Sequence, residues 1–203
     1  FQGIKVLKKR NRYGLTELLD LTHQNNEITS STLGFNIAPK INACGRISDA
    51  NIALRLLTSK NKFEAKNLAL IVEDLNEKRK EIQENNLNSI HSKIHDDEKK
   101  SIIWAANKKC HQGVIGIISG KLKEKYNKPS LVISINDDGV CVGSGRSVIG
   151  VNLYEKIKIL ISEKLIISGG GHQMAVGFKI YEKNIHKTMK RLESLISSQE
   201  KNT

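Results

Sequence analysis

The chain has 203 residues, 38% of them hydrophobic, so it can bury one sizeable core or two small ones. Its 33 lysines and arginines against 21 aspartates and glutamates give a net charge of +12, which favours a polyanionic partner such as nucleic acid, although a solvated lysine-rich surface explains the charge equally well. The 4% aromatic content excludes a single-strand binder with many stacking platforms, and no apolar run approaches the roughly 20 residues of a membrane-spanning helix.

The N-terminal segment is predicted to hold one short helix. Residues 1–3, Phe-Gln-Gly, match the tail of a common tag-cleavage sequence, so we expect a tag remnant there and a chain that is a fragment of something longer. Leucines at helical spacing predict an amphipathic helix over residues 14–24. The polar stretch over 25–32 is expected to be a loop.

Residues 33–46 contain two residues that interrupt regular structure. Pro39 and Gly45 are expected to prevent a continuous helix here. Asn42 and Arg46 would then bracket a turn of small residues, in which an amide and a guanidinium can reach one ligand. A connecting loop with an exposed arginine is the simpler interpretation of these residues alone.

Two helices are predicted after this segment. Ser48 and Asp49 are good N-caps for a helix over residues 50–58. A long helix is predicted over 62–94, and its middle is highly charged. Long helices that are polar mid-way usually bridge two bodies of structure.

Two groups of residues with metal-ligand chemistry are not expected to bind a metal. Three widely spaced cysteines argue against a disulfide framework and against a zinc site, and they fit a reducing, intracellular setting: Cys44, Cys110 and Cys141. A second group lies among solvated charges around the end of the long helix: His91, His95, Asp96 and Asp97.

From residue 101 onward, the pattern alternates between short apolar strands and amphipathic helices. The predicted strands are 101–106, 130–135, 140–143, 165–167 and 176–180. Three helices are predicted here: one that opens within residues 110–118 and reaches Tyr126, one capped by Asn152, and one over 184–198. This alternation predicts a layered α/β sheet with ligand-binding loops at the strand ends.

Two glycine-rich stretches lie at predicted strand ends. Residues 143–147 read Gly-Ser-Gly-Arg-Ser and are expected to form a loop whose arginine can grip a phosphate bidentately. Residues 169–172 read Gly-Gly-Gly-His, and three glycines in a row predict a turn whose N–H groups form an anion-binding nest. A flexible turn is the commoner explanation of either stretch taken alone.

The polar residues of these motifs have complementary chemistry. His111 precedes a helix N-terminus, where backbone donors and the helix dipole favour an anion. A phosphodiester would be held by guanidinium charge, hydroxyl donors and imidazoles from Arg46, His111, Ser144, Arg146 and His172. Metal-dependent hydrolysis needs a carboxylate-rich cluster, and neither Asp-x-Asp nor Asp-His-His occurs among these residues.

Taken as a set, the motifs resemble the RecJ family, bacterial single-strand-specific exonucleases of the DHH phosphoesterase superfamily. The matching segments are 34–39, 41–46 (Ile-Asn-Ala-Cys-Gly-Arg), 111–117 (His-Gln-Gly-Val-Ile-Gly-Ile), 143–147 and 170–175 (Gly-Gly-His-Gln-Met-Ala). Their order and spacing agree with the family, and the similarity extends from about residue 14 to about residue 180. The glycine-histidine motif alone also occurs in other DHH-associated domains, including that of alanyl-tRNA synthetase.

The resemblance implies a division of the chain and an α/β fold. Residues 1–60 would be the helical C-terminal part of a DHH domain, and 61–97 the connecting helix. Residues 98–203 would form a DHH-associated domain, a layered α/β domain with a mixed sheet that binds phosphate or nucleic acid.

The resemblance also implies an activity. The whole protein would digest single-stranded DNA from the 5′ end in DNA repair and recombination, using Mn²⁺ or Mg²⁺ bound by DHH motifs that this chain lacks. The fragment would bind single-stranded DNA weakly and hydrolyse nothing by itself. A single-strand-binding protein or a RecQ-type helicase are the implied partners, with a monomer in the bacterial cytoplasm as the expected state.

The motifs imply the site residues one by one. The phosphate or nucleic-acid contacts are Arg46, Asn42, His111, Ser144, Arg146, Ser147, Gly170 and Gly171, with His172 for phosphate contact or proton transfer and no metal ligand. Cys110, Ala38 and Cys44 stand where the family often has tryptophan, glycine and alanine. Two alternatives remain open: a DHH-type phosphoesterase acting on short oligonucleotides or nucleotides, and a non-catalytic nucleic-acid-binding module or scaffold.

Overall fold

A computed structural model describes residues 2–22, 27–91, 94, 100–108 and 110–200 of the chain. The chain divides into two compact units, Phe1–Glu81 and Ile82–Thr203. The boundary falls within one long helix, so the three-part division 1–60, 61–97 and 98–203 stays a prediction. Of the group His91, His95, Asp96 and Asp97, the last three lie outside the described residues.

The first unit is helical in its described residues. Its elements are α1 (Gln2–Lys8), α2 (Tyr13–Asp20), a π-helical turn (Thr32–Ile37), α3 (Ala38–Ile47), α4 (Ala50–Thr58) and the start of α5 (Lys62–His91). Leucines and small residues of these helices form its core, among them Leu18, Leu56 and Val72. Gly14 allows α2 to lie against α4, because a Cβ there would be 2.0 Å from the carbonyl oxygen of Leu56.

The helices of the first unit confirm some of the sequence predictions and correct the one for residues 33–46. Helix α4 has the predicted bounds, and the Asp49 carboxylate caps it by accepting from the amide of Asn51 at 2.9 Å. The prediction that Pro39 and Gly45 prevent a continuous helix is wrong. Pro39 lies in the first turn of α3, where a missing N–H costs little, and Gly45 lies in the last turn. The helix predicted over 14–24 ends at Asp20.

The second unit contains a five-stranded mixed sheet. Its strands are β1 (Ile103–Asn107), β2 (Ser130–Ser134), β3 (Val140–Arg146), β4 (Ser168–His172) and β5 (Ala175–Tyr181), in the order β1-β2-β3-β5-β4. β1 is parallel to β2, and the other neighbours are antiparallel. The layered α/β fold with a mixed sheet is thereby confirmed.

Helices cover the sheet on both faces. Helix α6 (Gln112–Tyr126) packs on β2 and β3, whereas α7 (Leu153–Ser162) packs on β4 and β5 from the opposite face and is joined there by α8 (Ile185–Glu200). The predicted cap of α7 is present, since the Asn152 side chain accepts from the amide of Glu155. Apolar residues of β2, β5, α7 and α8 form the core between these layers.

The two glycine-rich stretches are strands rather than loops. Residues 143–146 belong to β3, a strand with a partner on each side, and 169–172 belong to the edge strand β4. The strand expected over 165–167 therefore begins later, at Ser168. Glycine is tolerated here because other atoms occupy the space of its missing Cβ: at Gly143 that Cβ would be 2.2 Å from the Phe178 ring.

Neither helix length nor cysteine placement suggests a further site. Among the helices of the described ranges, none is long and apolar enough to cross a membrane. All three cysteines are buried, and burial raises the pKa of the Cys44 and Cys141 thiols.

Candidate functional site

Sheet register brings several predicted residues onto one face. Residues paired across neighbouring strands point to the same face of a sheet. Arg146 pairs with Ala175, which pairs in turn with His172. One row further, Ser144 pairs with Gly177, which pairs with Gly170.

We call this surface the open sheet face and define it by Ser144, Arg146, Gly170, His172, Ala175 and Gly177. It lies on the same side of the sheet as α6, which packs over β2 and β3. A Cβ added at Gly170 or at Gly177 would have no atom of the described residues within 4 Å, apart from the adjoining residues of the chain. Arg146 and His172 are two strands apart, about 10 Å between backbones, with only small residues between them.

Arg146 is positioned by the side of α6 that faces the sheet. Its Nη1 donates to Ser144 Oγ at 3.1 Å and to the Gly145 carbonyl oxygen at 2.9 Å. A Cβ at Gly116 would be 3.0 Å from Arg146 Nη2 and 3.2 Å from Ser144 Oγ. The guanidinium thus lies against a helix backbone that only glycine brings so close.

Sequence reasoning missed Gly116 and Gly177 as parts of this site. The signal for Gly116 was its position inside a helix, where glycine costs about 1 kcal/mol relative to alanine and so needs a packing reason. Gly177 gave a similar signal, because a glycine inside a strand marks a place that another backbone can approach closely.

His172 lies at the exposed end of β4. Its Nδ1 accepts from the amide of Met174 at 3.3 Å. A ring nitrogen that accepts a hydrogen bond carries no proton, so in the neutral ring the proton is on Nε2. Nε2 is therefore the atom that can donate to a ligand on the open sheet face.

His111 has a structural task in addition to its predicted one. It is the N-cap of α6, and its Nδ1 accepts from the amide of Gly113 at 3.1 Å. Its own amide donates to Asn86 Oδ1 at 3.2 Å. The imidazole is exposed at the helix N-terminus, as predicted, but one nitrogen serves the helix.

Two of the predicted contact residues have roles within the fold. The Ser147 hydroxyl is buried and donates to the Val151 carbonyl oxygen at 2.6 Å, so a protein acceptor already occupies it. Gly171 has φ = +138°, and a Cβ there would be 2.2 Å from the Ala175 carbonyl oxygen. Gly171 is needed to close the β4–β5 hairpin and forms no turn-like nest.

Asn42 and Arg46 belong to the first unit. They are one turn apart on α3, so they lie on the same face of the helix, and both are exposed. The amide and the guanidinium are therefore adjacent, as predicted, but on a helix rather than a turn. Burial lowers the pKa of Arg79 of α5, and the charge of Arg46 lowers it further while that of Glu77 opposes the shift.

The described residues do not fit a metal centre. No group of three or more histidines, cysteines, aspartates or glutamates among them is arranged to hold a metal ion. The chemistry that these residues can supply is the binding and orientation of phosphate by cationic and neutral donors. We derive no metal-dependent step from them.

Comparisons with known proteins agree with the fold and with the predicted resemblance. A family model described as "DHHA1 domain" matches residues 86–198. The chain is 32% identical to the "Single-stranded-DNA-specific exonuclease RecJ" of Bacillus subtilis over 95% of its own length, but it spans only 25% of that relative.

Solved structures give the same result. The chain superimposes on RecJ from Thermus thermophilus in complex with Mn²⁺ with a TM-score of 0.86 and 26% identity, covering 97% of this chain and 28% of that one. The complex of the same protein with Mg²⁺ gives a TM-score of 0.85 at 26% identity, covering 97% of this chain and 30% of that one.

Proposed function

This chain belongs to the DHHA1 domain family, and from that premise we propose that its open sheet face binds the phosphates of single-stranded DNA within an exonuclease of RecJ type. The observation that carries the proposal is the register that aligns Arg146 and His172 on either side of a strip of small residues. A scaffold protein has no need of such a surface. The proposal therefore favours the binding of nucleic acid over a purely structural scaffold.

Each residue has a distinct role in the proposed interaction. Arg146 presents a planar guanidinium, which matches two oxygens of a phosphate at once. Gly170 and Gly177 let the sugar-phosphate backbone approach the strands closely. His172 Nε2 donates to a phosphate oxygen or holds a proton at that atom.

Hydrolysis is proposed only for the whole protein. The solved relatives contain Mg²⁺ or Mn²⁺, which would supply an activated water and charge neutralisation when bound. The described residues of this chain offer no such ligand set, so we propose that the chain itself binds the strand without cutting it. Digestion from the 5′ end, with a part in repair and recombination, is proposed on the same basis.

From the family resemblance we also propose three further properties of the protein. They are the association with a single-strand-binding protein or a RecQ-type helicase, the monomeric state and the location in the bacterial cytoplasm. The open sheet face supports the binding of a single strand.

The direct test is a fluorescence-anisotropy titration of a short 5′-phosphorylated single strand and of its 5′-hydroxyl twin at two salt concentrations. Arg146→Gln is expected to weaken binding about tenfold, since one charge-assisted hydrogen-bonded contact is lost. The slope of log affinity against log salt should fall by about 0.7 for that contact. His172→Ala should weaken binding less.

A matched control separates a specific contact from diffuse charge. Lys158→Gln removes the same charge from α7, on the other side of the sheet, where Lys158 pairs with Glu155 at the surface. Its affinity should match that of the parent chain. Equal losses in Arg146→Gln and Lys158→Gln would show that the charge of +12 acts diffusely, which would overturn the assignment.

A further inference from the structure

An apolar groove begins where strand β3 ends. It has a volume of about 700 Å³ and lies between the C-terminal end of α6 and the loop that follows β3. We call it the apolar groove and define it by its aliphatic side chains: Val148, Ile149 and Met174. None of these three residues is among the predicted phosphate contacts.

A defined turn holds Ile149 out of the protein. The amide of Val151 donates to the Val148 carbonyl oxygen at 3.3 Å, and Gly150 has φ = +93°, the positive value that a type II turn needs at its third residue. The Ser147 hydroxyl adds a second bond to this loop, to the Val151 carbonyl oxygen at 2.6 Å. Ile149, next to Gly150 in the turn, is 95% exposed, the largest value for a large hydrophobic side chain among the described residues.

Backbone hydrogen bonds join the two sides of the groove. The amide of Ser147 donates to the Met174 carbonyl oxygen at 2.9 Å, and the amide of Leu153 donates to the Gln173 carbonyl oxygen at 3.1 Å. These bonds fix the turn of the β4–β5 hairpin against the loop after β3. The surface that Ile149 and Met174 form is therefore present before any ligand binds.

The position of the groove indicates a function, which exposure alone does not, because single exposed apolar residues are common on proteins. Met174 lies in the hairpin turn between His172 and Ala175, which belong to the open sheet face, and its amide donates to His172 Nδ1 at 3.3 Å. Ile149 follows Arg146 by three residues, so their Cα atoms are at most about 11 Å apart. The groove thus continues the open sheet face beyond its last row of paired residues.

The chemistry of the groove matches a nucleobase. Lys123 and Glu124 on its α6 side have opposite charges, so its lining has no net charge and offers mainly apolar contact. A methionine thioether makes favourable contacts with aromatic rings and adapts to rings of different shape. An apolar surface beside the Arg146–His172 row corresponds to the two parts of a nucleotide, its ring and its phosphate. An apolar protein segment would match the groove but not that row.

We propose that the apolar groove is a base-binding subsite, in which the face of one nucleobase packs against Ile149 and Met174 while an adjacent phosphate lies at Arg146. The subsite rests on the proposed function, because it needs a strand on the open sheet face. It adds a contact with the bases that the phosphate contacts do not provide. Affinity should then depend on the presence of bases and little on their sequence, since every base has a π-face.

The first experiment compares two 5′-phosphorylated strands of equal length, one with ordinary bases and one in which every nucleotide is an abasic tetrahydrofuran. Both carry the same phosphates, so they differ in the groups that would enter the apolar groove. Ile149→Ser should weaken binding of the ordinary strand about fivefold, the lower end of the range for one stacked base, and leave binding of the abasic strand unchanged. Because Ile149 is almost fully exposed, the urea midpoint should stay that of the parent.

Two further variants sharpen this comparison. Ile149→Phe should tighten binding of the ordinary strand about threefold, because an aromatic ring is a better stacking surface, and should not affect the abasic strand. Ile159→Ser is the matched control, since Ile159 is a partly exposed residue of α7 on the other side of the sheet. It should bind both strands as the parent does. Equal weakening of both strands by Ile149→Ser, or parent-like binding of the ordinary strand, would overturn the subsite.

Methionine NMR tests the contact without a substitution. The chain has two methionines, Met174 in the groove and Met189, which is 1% exposed in the core. With ¹³C-labelled methyl groups, the Met174 methyl proton resonance should move upfield on addition of the ordinary strand, because the ring current of a base shields a methyl group on its face. The abasic strand should not cause this shift, and Met189 should stay in place. A Met174 resonance that does not move at saturation would overturn the subsite and leave the groove to an apolar protein segment.

The outcomes separate this inference from the proposed function. If Arg146→Gln weakens binding of both strands and Ile149→Ser weakens neither, the open sheet face stands and the subsite is refuted. If Arg146→Gln weakens neither strand, the open sheet face is refuted, and the subsite with it, because it requires a phosphate at Arg146. Both stand if Arg146→Gln weakens both strands and Ile149→Ser weakens only the ordinary one.

Discussion

The two faces of the sheet at β3, β5 and β4 use the same residue type for opposite reasons. On the face covered by α7 and α8, glycines make room for neighbours: a Cβ at Gly145 would be 2.9 Å from Val176, and one at Gly169 would be 3.0 Å from Ile157. On the open sheet face, Gly170 and Gly177 make room for nothing in the described part of the chain. Packing therefore explains the glycines on one face only.

This difference separates glycines that serve folding from glycines that serve a ligand. A glycine in a strand interior costs stability and is retained where something approaches closely. Where the approaching atoms belong to the protein, substitution should change stability. Where they belong to a ligand, it should change affinity and leave stability alone.

The largest effect is expected on the packed face, for Gly143→Ala. Three ring atoms of Phe178 lie 2.2 to 2.6 Å from the position of its Cβ, so either the ring or the strand must move. The free energy of unfolding should fall by about 3 kcal/mol, near the upper end for an overpacked core. Urea denaturation followed by the fluorescence of Trp104, the chain's single tryptophan, measures it in this unit. A loss below about 1 kcal/mol would show that the ring yields easily.

A smaller effect, on affinity rather than stability, is expected for Gly177→Ala on the open sheet face. Its Cβ meets no neighbour within 4 Å among the described residues, and alanine in a strand interior is better than glycine by about 0.5 kcal/mol. The unfolding free energy should stay level or rise slightly, while the affinity for single-stranded DNA falls about threefold as the added methyl group fills the strip. Gly143→Ala is its counterpart, because that variant should lose stability whereas Gly177→Ala should lose affinity. Unchanged affinity in Gly177→Ala would mean that the strand does not cross this strip.

The smallest effect is expected at the outer edge of the packed face. Arg191 of α8 donates to both carboxylate oxygens of Glu163, at 2.6 and 3.1 Å, and these hydrogen bonds hold the pKa of Glu163 below its usual 4.5. A depressed pKa stabilises the fold above 4.5, and this contribution disappears as the pH falls through the folded-state pKa.

Arg191→Gln should therefore raise the Glu163 pKa toward 4.5, as an NMR titration of its side-chain carboxyl carbon would show. Its effect on the urea midpoint should be small at neutral pH, because both side chains are exposed to solvent, and should vanish in acid. Lys158→Gln, which breaks an exposed pair of the same type with Glu155, serves as the control. A Glu163 pKa that does not move would show that the two side chains are not paired in solution.

Local sequence signals predicted the helices well. Asp49 and Asn152 cap the helices that they were expected to cap, because a capping side chain acts on amides two or three residues away. The long helix was predicted over 62–94 and ends at His91, which is within the usual error of a helix end. The predicted resemblance to the RecJ family is also confirmed.

The strands and the segment around Pro39 were harder to predict from the sequence, because their conformation depends on contacts with residues distant in the chain or on local irregularities. Gly143, Gly169 and Gly171 were interpreted as loop residues. Only the positions of Phe178, Ile157 and Ala175 in the fold explain why the strands need glycine there. Similarly, the π-helical turn before α3 pairs the amide of Ala38 with the carbonyl of Leu33, a local irregularity that composition does not announce.

The candidate site was predicted in part. Its residue types followed from the motifs, but their grouping depends on register, which aligns Arg146 with His172 across Ala175. The burial of the Ser147 hydroxyl gave no sequence signal, because a residue just past a strand end can point to either side, and this one points inward to Val151.

The close contact between Gly116 and Arg146 also bears on the entropy of binding. An arginine side chain free in solvent loses up to about 2 kcal/mol of rotamer freedom when a ligand immobilises it. Helix α6 and Ser144 already confine this guanidinium in the unliganded protein. The side chain is therefore largely ordered before phosphate binds. A ligand then contacts a preorganised donor, so less of the interaction energy is lost to the entropic cost of ordering that side chain.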